Sequence, residues 1–413
     1  MVQLADSDVS PEVLAKIPPI VDLDAHLVEP PDIWEPRLPS KYREAGPHVE
    51  YHPGGEIVLQ GATYAEAPGT DGPNVVWWNY EGKLTSLKRH IAASGFKPEE
   101  VTLTGTTFDE IRPGCWRVPE RLADMDVNGV EAQLCFPNYP RFAGQIFLWG
   151  KDRELAELCV YAYNDWMVEE WCGASGGRLL PLCIVPLWDV ELAAAEVRRN
   201  AARGVRAVAF TEMPPYLDLP SIHTGYWDPF FAACDETSTV ICLHIGSGTK
   251  TLQTSPDAPD SVPASLIFAN SAASLVDFLY SGVLHRYPSL KLLFAEAQIG
   301  WIPYVLERAD DVWITHQWAG GHKHCPEPPS TYYYRQVYSC FFKDPIGVKM
   351  LDAIGGAERV AFETDYPHSD STWPRSREAA ATQFGFLEQD QVTRIARGTA
   401  IELLGLELSP DGS

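Results

Sequence analysis

From about residue 120 the chain alternates short apolar runs with longer helix-like ones, and this alternation limits its fold more than any other feature. AQLCFPN (132–138) precedes ELAELCVYAYNDWMVEEW, and LLPLCIVPL (179–187) precedes VELAAAEVRRNAARG, whose Gly204 suits a helix C-terminus. VRAVAFTEM (205–213) leads into WDPFFAACDET, and STVICLHIG (238–246) into a long segment with SLVDFLYSGVLHRYP. KLLFAEA (291–297) leads into IGWIPYVLERADDVW, VYSCFF (337–342) into IGVKMLDAIG, and RVAFETDYP (359–367) into the C-terminal helices. With IVDLDAH (20–26) at the start, the strand-like runs number eight. Eight strands, each followed by a helical segment, predict an α/β chain folded as a TIM (β/α)8 barrel rather than a doubly wound sheet.

Such a barrel needs roughly 250 residues, and the chain has 413. The excess is assigned to an inserted cap region at about residues 40–115, between strand one and strand two. There YHPGGEIVLQGATYAEAP reads as a Gly-turned hairpin, and the stretch to RPGCW is rich in Pro, Gly and Trp. One barrel domain is expected over 1–405, with a flexible tail at 406–413 and no internal repeat.

Thirty-two basic against 56 acidic side chains give a net charge of −24, which repels nucleic acid and anionic membrane surfaces. Neither is expected as a partner. A small anionic substrate needs local cations and a metal to overcome that field. The segment MVQLADSDVSPEVLAKIPPI carries acidic residues and no apolar targeting core, and no apolar run reaches a bilayer-spanning length, so a cytoplasmic protein is expected. Nine cysteines occur without any C-x-x-C pair and read as buried thiols rather than disulfides or a thiolate metal site.

In Asp24-Ala-His26 the two polar side chains stand at i and i+2, so on a strand they share one face, here the barrel interior. A buried carboxylate beside a buried imidazole calls for a partner: either a divalent cation that both ligate, or a hydrogen bond between the two. Glu29 is a further ligand or the cap of the following turn. His244 in VICLHIGSG and Asp365 in VAFETDYPHSD lie where apolar runs end, on the barrel face that carries TIM-barrel active sites. Each alone is ordinary; together with Asp24 and His26 they form a metal-ligand set. His368, three residues past Asp365, is an acid/base group or a loop anchor, and His223 after strand four is a pocket-mouth candidate. Arg141, just past strand two, and Lys88-Arg89-His90 in the cap are the cations nearest to hold a carboxylate, Arg89 by the bidentate geometry of its guanidinium, while Lys88 is expected to be solvated. Among Trp77, Trp78, Trp116 and Trp301, the last follows strand six directly and is the one expected to stack on an unsaturated substrate.

VDLDAHLVEPPDIW, ERLADMDVNGV, LHRYPSLKLLFAEAQIGWIPYVLERADDVW and VAFETDYPHSDSTWP resemble the amidohydrolase-2 family, whose members include aminocarboxymuconate-semialdehyde decarboxylase-like enzymes. The resemblance runs from about residue 20 to about 405, the cap excepted. It implies a (β/α)8 barrel with one divalent metal ion, zinc, manganese or iron, and puts the ligand roles on Asp24, His26, His244 and Asp365. It also implies a homodimer or homotetramer. The first-strand pattern D-x-H is similar to the acid-first pattern of phenolic-acid decarboxylases in the family. Strand six departs, with Glu296 where those decarboxylases usually carry a catalytic His; Glu296 becomes either the proton carrier or a partner that orients a ligand His. Strand four, AVAFTEM, lacks the Lys that bridges two ions in binuclear relatives, which favours a single ion. Thr399 replaces a common Asn, a change of packing.

These features predict a metal-dependent enzyme acting on a small carboxylic-acid-like substrate. The leading expectation is a non-oxidative decarboxylase of an aromatic or conjugated acid, with Asp365 or Glu296 delivering the proton. The alternatives are hydrolysis of an amide, lactone or C–C bond by the same ligands, and a catalytically idle barrel that only binds.

Overall fold

The computed structural model describes residues 9–409. Each of the eight apolar runs forms a strand: β1 (Ile20–His26), β2 (Val130–Phe136), β3 (Leu179–Cys183), β4 (Ala207–Phe210), β5 (Val240–His244), β6 (Leu292–Ala295), β7 (Val337–Phe341) and β8 (Val360–Phe362). They lie in chain order in one sheet, and each pairs in parallel with the next. The runs read from the sequence overshoot the strands at their C-terminal ends. Glu296 and Asp365 stand just beyond β6 and β8 with φ of 60° and 52°, a left-handed conformation that ends strand pairing and is costly for a non-glycine residue.

The edge between β8 and β1 closes the barrel through a side chain. The Asp22 carboxylate accepts from the backbone N–H groups of Asp24 and Thr364, both at 3.0 Å, and from the Thr364 hydroxyl at 2.5 Å. Asp365 N–H then donates to the Asp24 carbonyl at 3.0 Å, and His26 N–H to the Tyr366 carbonyl at 2.6 Å. Asp22, Asp24 and His26 alternate along β1 onto one face, so the residue that closes the barrel and the two that face its mouth follow from one period of two.

The helices between strands begin where short polar side chains satisfy their first N–H groups. Asp152 accepts from Glu154 and Leu155 N–H ahead of helix Arg153–Trp166, and Asp189 does the same for helix Val190–Ala201. That second helix buries Ala193, Ala194 and Val197 against the barrel. Gly129 joins helix Val118–Asn128 to β2 at φ 71°, and a Cβ there would lie 2.3 Å from the Arg377 side chain, so glycine answers both constraints. Leu406 and Leu408 pack on the core, and the buried Arg397 guanidinium donates to the Ser409 and Pro19 carbonyls and to Glu131. The first four residues of the expected tail are therefore held in place, while 410–413 lie outside the described residues.

Between β1 and β2 the chain builds an antiparallel sheet of His48–Pro53, Asn74–Tyr80 and Lys83–Ser86, and a separate hairpin, Ile57–Gln60 with Thr63–Glu66, turned at Gly61-Ala62. A second small apolar cluster, with Val28, Val76, Leu87 and Phe108 among its members, seats this layer on the barrel mouth. All nine cysteines are buried and free. Among the described residues no helix is long and apolar enough to cross a membrane.

Arg121, in helix Val118–Asn128, ties the inserted layer to the end of β1. It is wholly buried, and it donates to the carbonyls of Gly114 and His26 at 2.6 Å each and to Gln133 Oε1 at 2.8 Å. Arg121→Met leaves these acceptors buried and unpaired, and is expected to cost about 3 kcal/mol or more of unfolding free energy. Urea denaturation at unchanged m-value checks this; a loss below about 1 kcal/mol contradicts the tie.

Candidate active site and metal centre

Asp24 and His26 leave β1 fully buried at the barrel mouth, His244 ends β5, and Asp365 and Glu296 follow β8 and β6. The topology brings all five together. His26 Nε2 lies 3.3 Å from Asp24 Oδ1 and 3.5 Å from Asp365 Oδ1, and His244 Nε2 lies 3.5 Å from Asp24 Oδ2 and 3.3 Å from Glu296 Oε2. The two imidazole Nε2 atoms face each other at 3.1 Å. Two groups of donor atoms lie within 4.8 Å of one another: Asp24, His26, His244 and Glu296 in one, and His26, Glu296, Asp365 and His368 in the other.

The chemistry of this cluster is one-sided. His244 Nδ1 donates to the Ile245 carbonyl at 2.7 Å, so its Nε2 presents a lone pair. Both oxygens of Asp24 and both of Asp365 are buried without a hydrogen-bond partner. Burial pushes the carboxyls of Asp24, Asp365 and Glu296 above the usual carboxylate range and lowers His26 and His244, the latter to about 3. Burial thus disfavours the charged form of each of these groups. A divalent cation held by these carboxylates and imidazoles resolves both the repulsion and the unpaired oxygens, so the residues fit a metal centre.

His368 stacks on His26 at 3.8 Å between ring centroids. Its Nδ1 lies 2.9 Å from Asp365 Oδ1, out of line for a hydrogen bond, and its Nε2 lies 3.0 Å from Asn138 Oδ1. Asn138 is oriented by its own donation to the Leu27 carbonyl at 2.8 Å. Burial lowers His368 to about 4 and raises the Asp365 carboxyl well above the usual carboxylate range. Glu29 is not in the cluster. It accepts from the N–H groups of Asn138 and Tyr139 at 2.9 and 2.8 Å and fixes the turn after β2, rather than the turn that follows it in sequence.

Glu296, Asp365 and His368 bring the cluster to the wall of a cavity of about 600 Å³, which the inserted hairpin also lines. Arg141, His368, Lys88 and His90 line it. Arg89, His223 and Trp301 do not, which corrects three of the substrate-binding expectations. Arg89 turns outward to Glu110 at 3.7 Å and lies over the Phe96 ring. His223 is half exposed and paired with Asp277. Trp301 donates to the Ala297 carbonyl and packs beside Phe268, because the residues after β6 turn straight into a helix and carry its ring outward. Lys88, expected in solvent, is buried, paired with Glu66 at 2.6 Å and seated over the Tyr64 ring.

Glu363, Phe142 and Tyr64 were not singled out in the sequence. Glu363 accepts from Glu296 N–H at 3.0 Å and so sets where Glu296 stands, yet its other oxygen is unpaired. The Phe142 ring lies 4.0 Å from that of His244 and walls the floor. Tyr64 Oη and His90 Nε2 share a hydrogen bond of 2.7 Å in the roof. Alternation within VAFETDYP puts Glu363 on the same face as Asp365 and could have flagged it; Phe142 and Tyr64 depend on which loops meet.

Comparison with known proteins agrees with this geometry. The sequence profile of the family described as Amidohydrolase matches residues 21–406. The 2-amino-3-carboxymuconate-6-semialdehyde decarboxylase of Dictyostelium discoideum is 22% identical over 339 residues, 79% of this chain and 86% of that protein. Among solved structures, an amidohydrolase from Mycobacterium avium subsp. paratuberculosis superposes with a TM-score of 0.67 at 19% identity, covering 94% of this chain and 99% of the other. The 5-carboxyvanillate decarboxylase of Novosphingobium aromaticivorans, complexed with manganese and 4-hydroxy-3-methoxy-5-nitrobenzoic acid, gives 0.58 at 18% identity, covering 71% and 82%. With a family match spanning nearly its whole length and an eight-stranded barrel that gathers histidines and carboxylates at its mouth, the chain belongs to the amidohydrolase family.

Proposed function

We propose that the protein is a metal-dependent, non-oxidative decarboxylase of an aromatic or conjugated carboxylic acid, with Asp24, His26, His244 and Asp365 as the metal ligands. The observation that carries the reading is the set of four unpartnered, buried carboxylate oxygens on Asp24 and Asp365, facing two imidazoles beneath a largely apolar cavity. That chemistry calls for a cation on the floor and a hydrophobic body above it. The names of the similar decarboxylases, and the manganese and nitrobenzoate in one of them, support the same class.

Bound there, a divalent ion supplies charge that anchors an anionic substrate and stabilises electron density developing on it. The chain's own residues do the rest. Phe142 and the other apolar walls exclude water from the reacting carbon. The Asp365 carboxyl gives a proton to the ring carbon that bears the leaving carboxylate, and the C–C electron pair returns to the ring as CO₂ departs. His368, 2.9 Å from Asp365 and held by Asn138, returns a proton to Asp365 from solvent. Glu296, 3.3 Å from His244, orients that imidazole.

Decarboxylation is tested by incubating manganese-, zinc- or iron-loaded protein with a panel of hydroxybenzoates. The expected result is stoichiometric CO₂ with the ring product, lost on chelation; turnover of esters or lactones with no CO₂ from any acid assigns hydrolysis instead. Asp365→Asn is expected to lower kcat by roughly 10²-fold or more. In chelator-treated protein the same change is expected to raise Tm, because it removes an unpaired buried carboxyl, while it weakens the Tm increase that added metal gives wild type. A lower Tm in the chelated variant, with the metal-induced increase intact, argues against the ligand assignment.

A further inference from the structure

The cavity is lined by cationic groups as well as by the metal cluster, Arg141 and Lys88 among them. An apolar cavity of about 150 Å³ is enough to hold benzene, whereas the space here is about 600 Å³. A single-ring acid seated on the floor leaves most of it unfilled. The upper part lies beneath the inserted hairpin, between apolar walls that include Trp78, Leu87, Ile146 and Trp149.

Arg141 stands at that upper end. It adopts a left-handed backbone conformation, φ 62°, which sends consecutive side chains in different directions. Phe142 turns down to His244 and His26, with ring centroids 4.0 and 5.3 Å away. Arg141 turns up: one Nη donates to the Ala62 carbonyl at the hairpin turn, and its Cζ lies 6.0 Å from the Trp149 ring centroid. Its Nε is buried with no partner, and among the described residues no carboxylate pairs with it. The other enclosed cations are compensated. Lys88 has Glu66, Arg397 has Glu131, and Arg121 is saturated by carbonyl and amide oxygens. Arg141 alone among these faces the cavity with its charge unanswered, and the planar guanidinium suits a carboxylate.

Building on the decarboxylase reading above, we infer that the substrate is an elongated diacid: one carboxylated ring on the metal floor, an apolar body along the cavity walls, and a second carboxylate at the far end bound by Arg141. The Tyr64–His90 pair and the neutralised Lys88–Glu66 pair line the same cavity. Single-ring diacids share the two charges but not the span, so length as well as charge is selected.

The test is titration calorimetry of manganese(II)-loaded protein with three probes: 5-phenylsalicylate, 5-(4-carboxyphenyl)salicylate and the single-ring 4-hydroxyisophthalate. The extended diacid is expected to bind about tenfold tighter, or more, than either other probe, as one desolvated bidentate pair provides. Arg141→Met is expected to erase its advantage over 5-phenylsalicylate, and Arg141→Lys to keep part of it. Manganese-dependent binding with equal affinities, or an advantage that survives Arg141→Met, overturns this inference and leaves the metal reading standing. Binding that ignores manganese overturns both. A purely structural clamp on Ala62 predicts a lower Tm for Arg141→Met with the probe ratio intact; ligand recognition predicts a Tm equal to or above wild type.

Discussion

The structure is organised around a shortage of positive charge at one point. Where β1, β5, β6 and β8 end, buried carboxylates and imidazoles converge with their lone pairs toward a common centre and no lysine or arginine among them. With protein alone around them, burial disfavours the charged form of each of these groups. A fold does not gather acceptors this way for stability. The surrounding barrel has to hold them against their mutual repulsion, and much of its detail serves that end.

Asp22 closes the seam between β1 and β8 and so fixes the spacing of Asp24 and Asp365. Arg121 grips the His26 carbonyl, Glu363 holds the Glu296 backbone, and Glu29 holds the turn that presents Asn138 to His368. Glu212, beyond β4, accepts from Gly246 N–H and Ser271 at 3.0 Å each and anchors the loop that follows His244. None of these groups belongs to the donor cluster itself. They convert strand ends, which would otherwise fray, into rigid mounts for the ligand atoms.

What could be read in advance follows the same division between strands and loops. The barrel and the convergence of Asp24, His26, His244 and Asp365 were legible because they rest on a period of two along apolar strands and on the rule that the C-terminal ends of strands share one face. Arg89, His223 and Trp301 were misplaced because each sits where a turn or a helix start sets the direction of the side chain, and one residue of rotation sends it to solvent or to a neighbouring helix. Lys88 went the opposite way: its burial depends on Glu66, 22 residues earlier in a separate hairpin, a pairing no local pattern announces. Glu296 was recognised as unusual, but its left-handed backbone and its grip by Glu363 depend on how β6 and β8 end together.

Anomalous diffraction from crystals grown with manganese locates the proposed ion directly. A single strong peak is predicted within bonding distance of Asp24, His26, His244 and Asp365. The absence of any peak there, or two peaks bridged by Glu296, contradicts it.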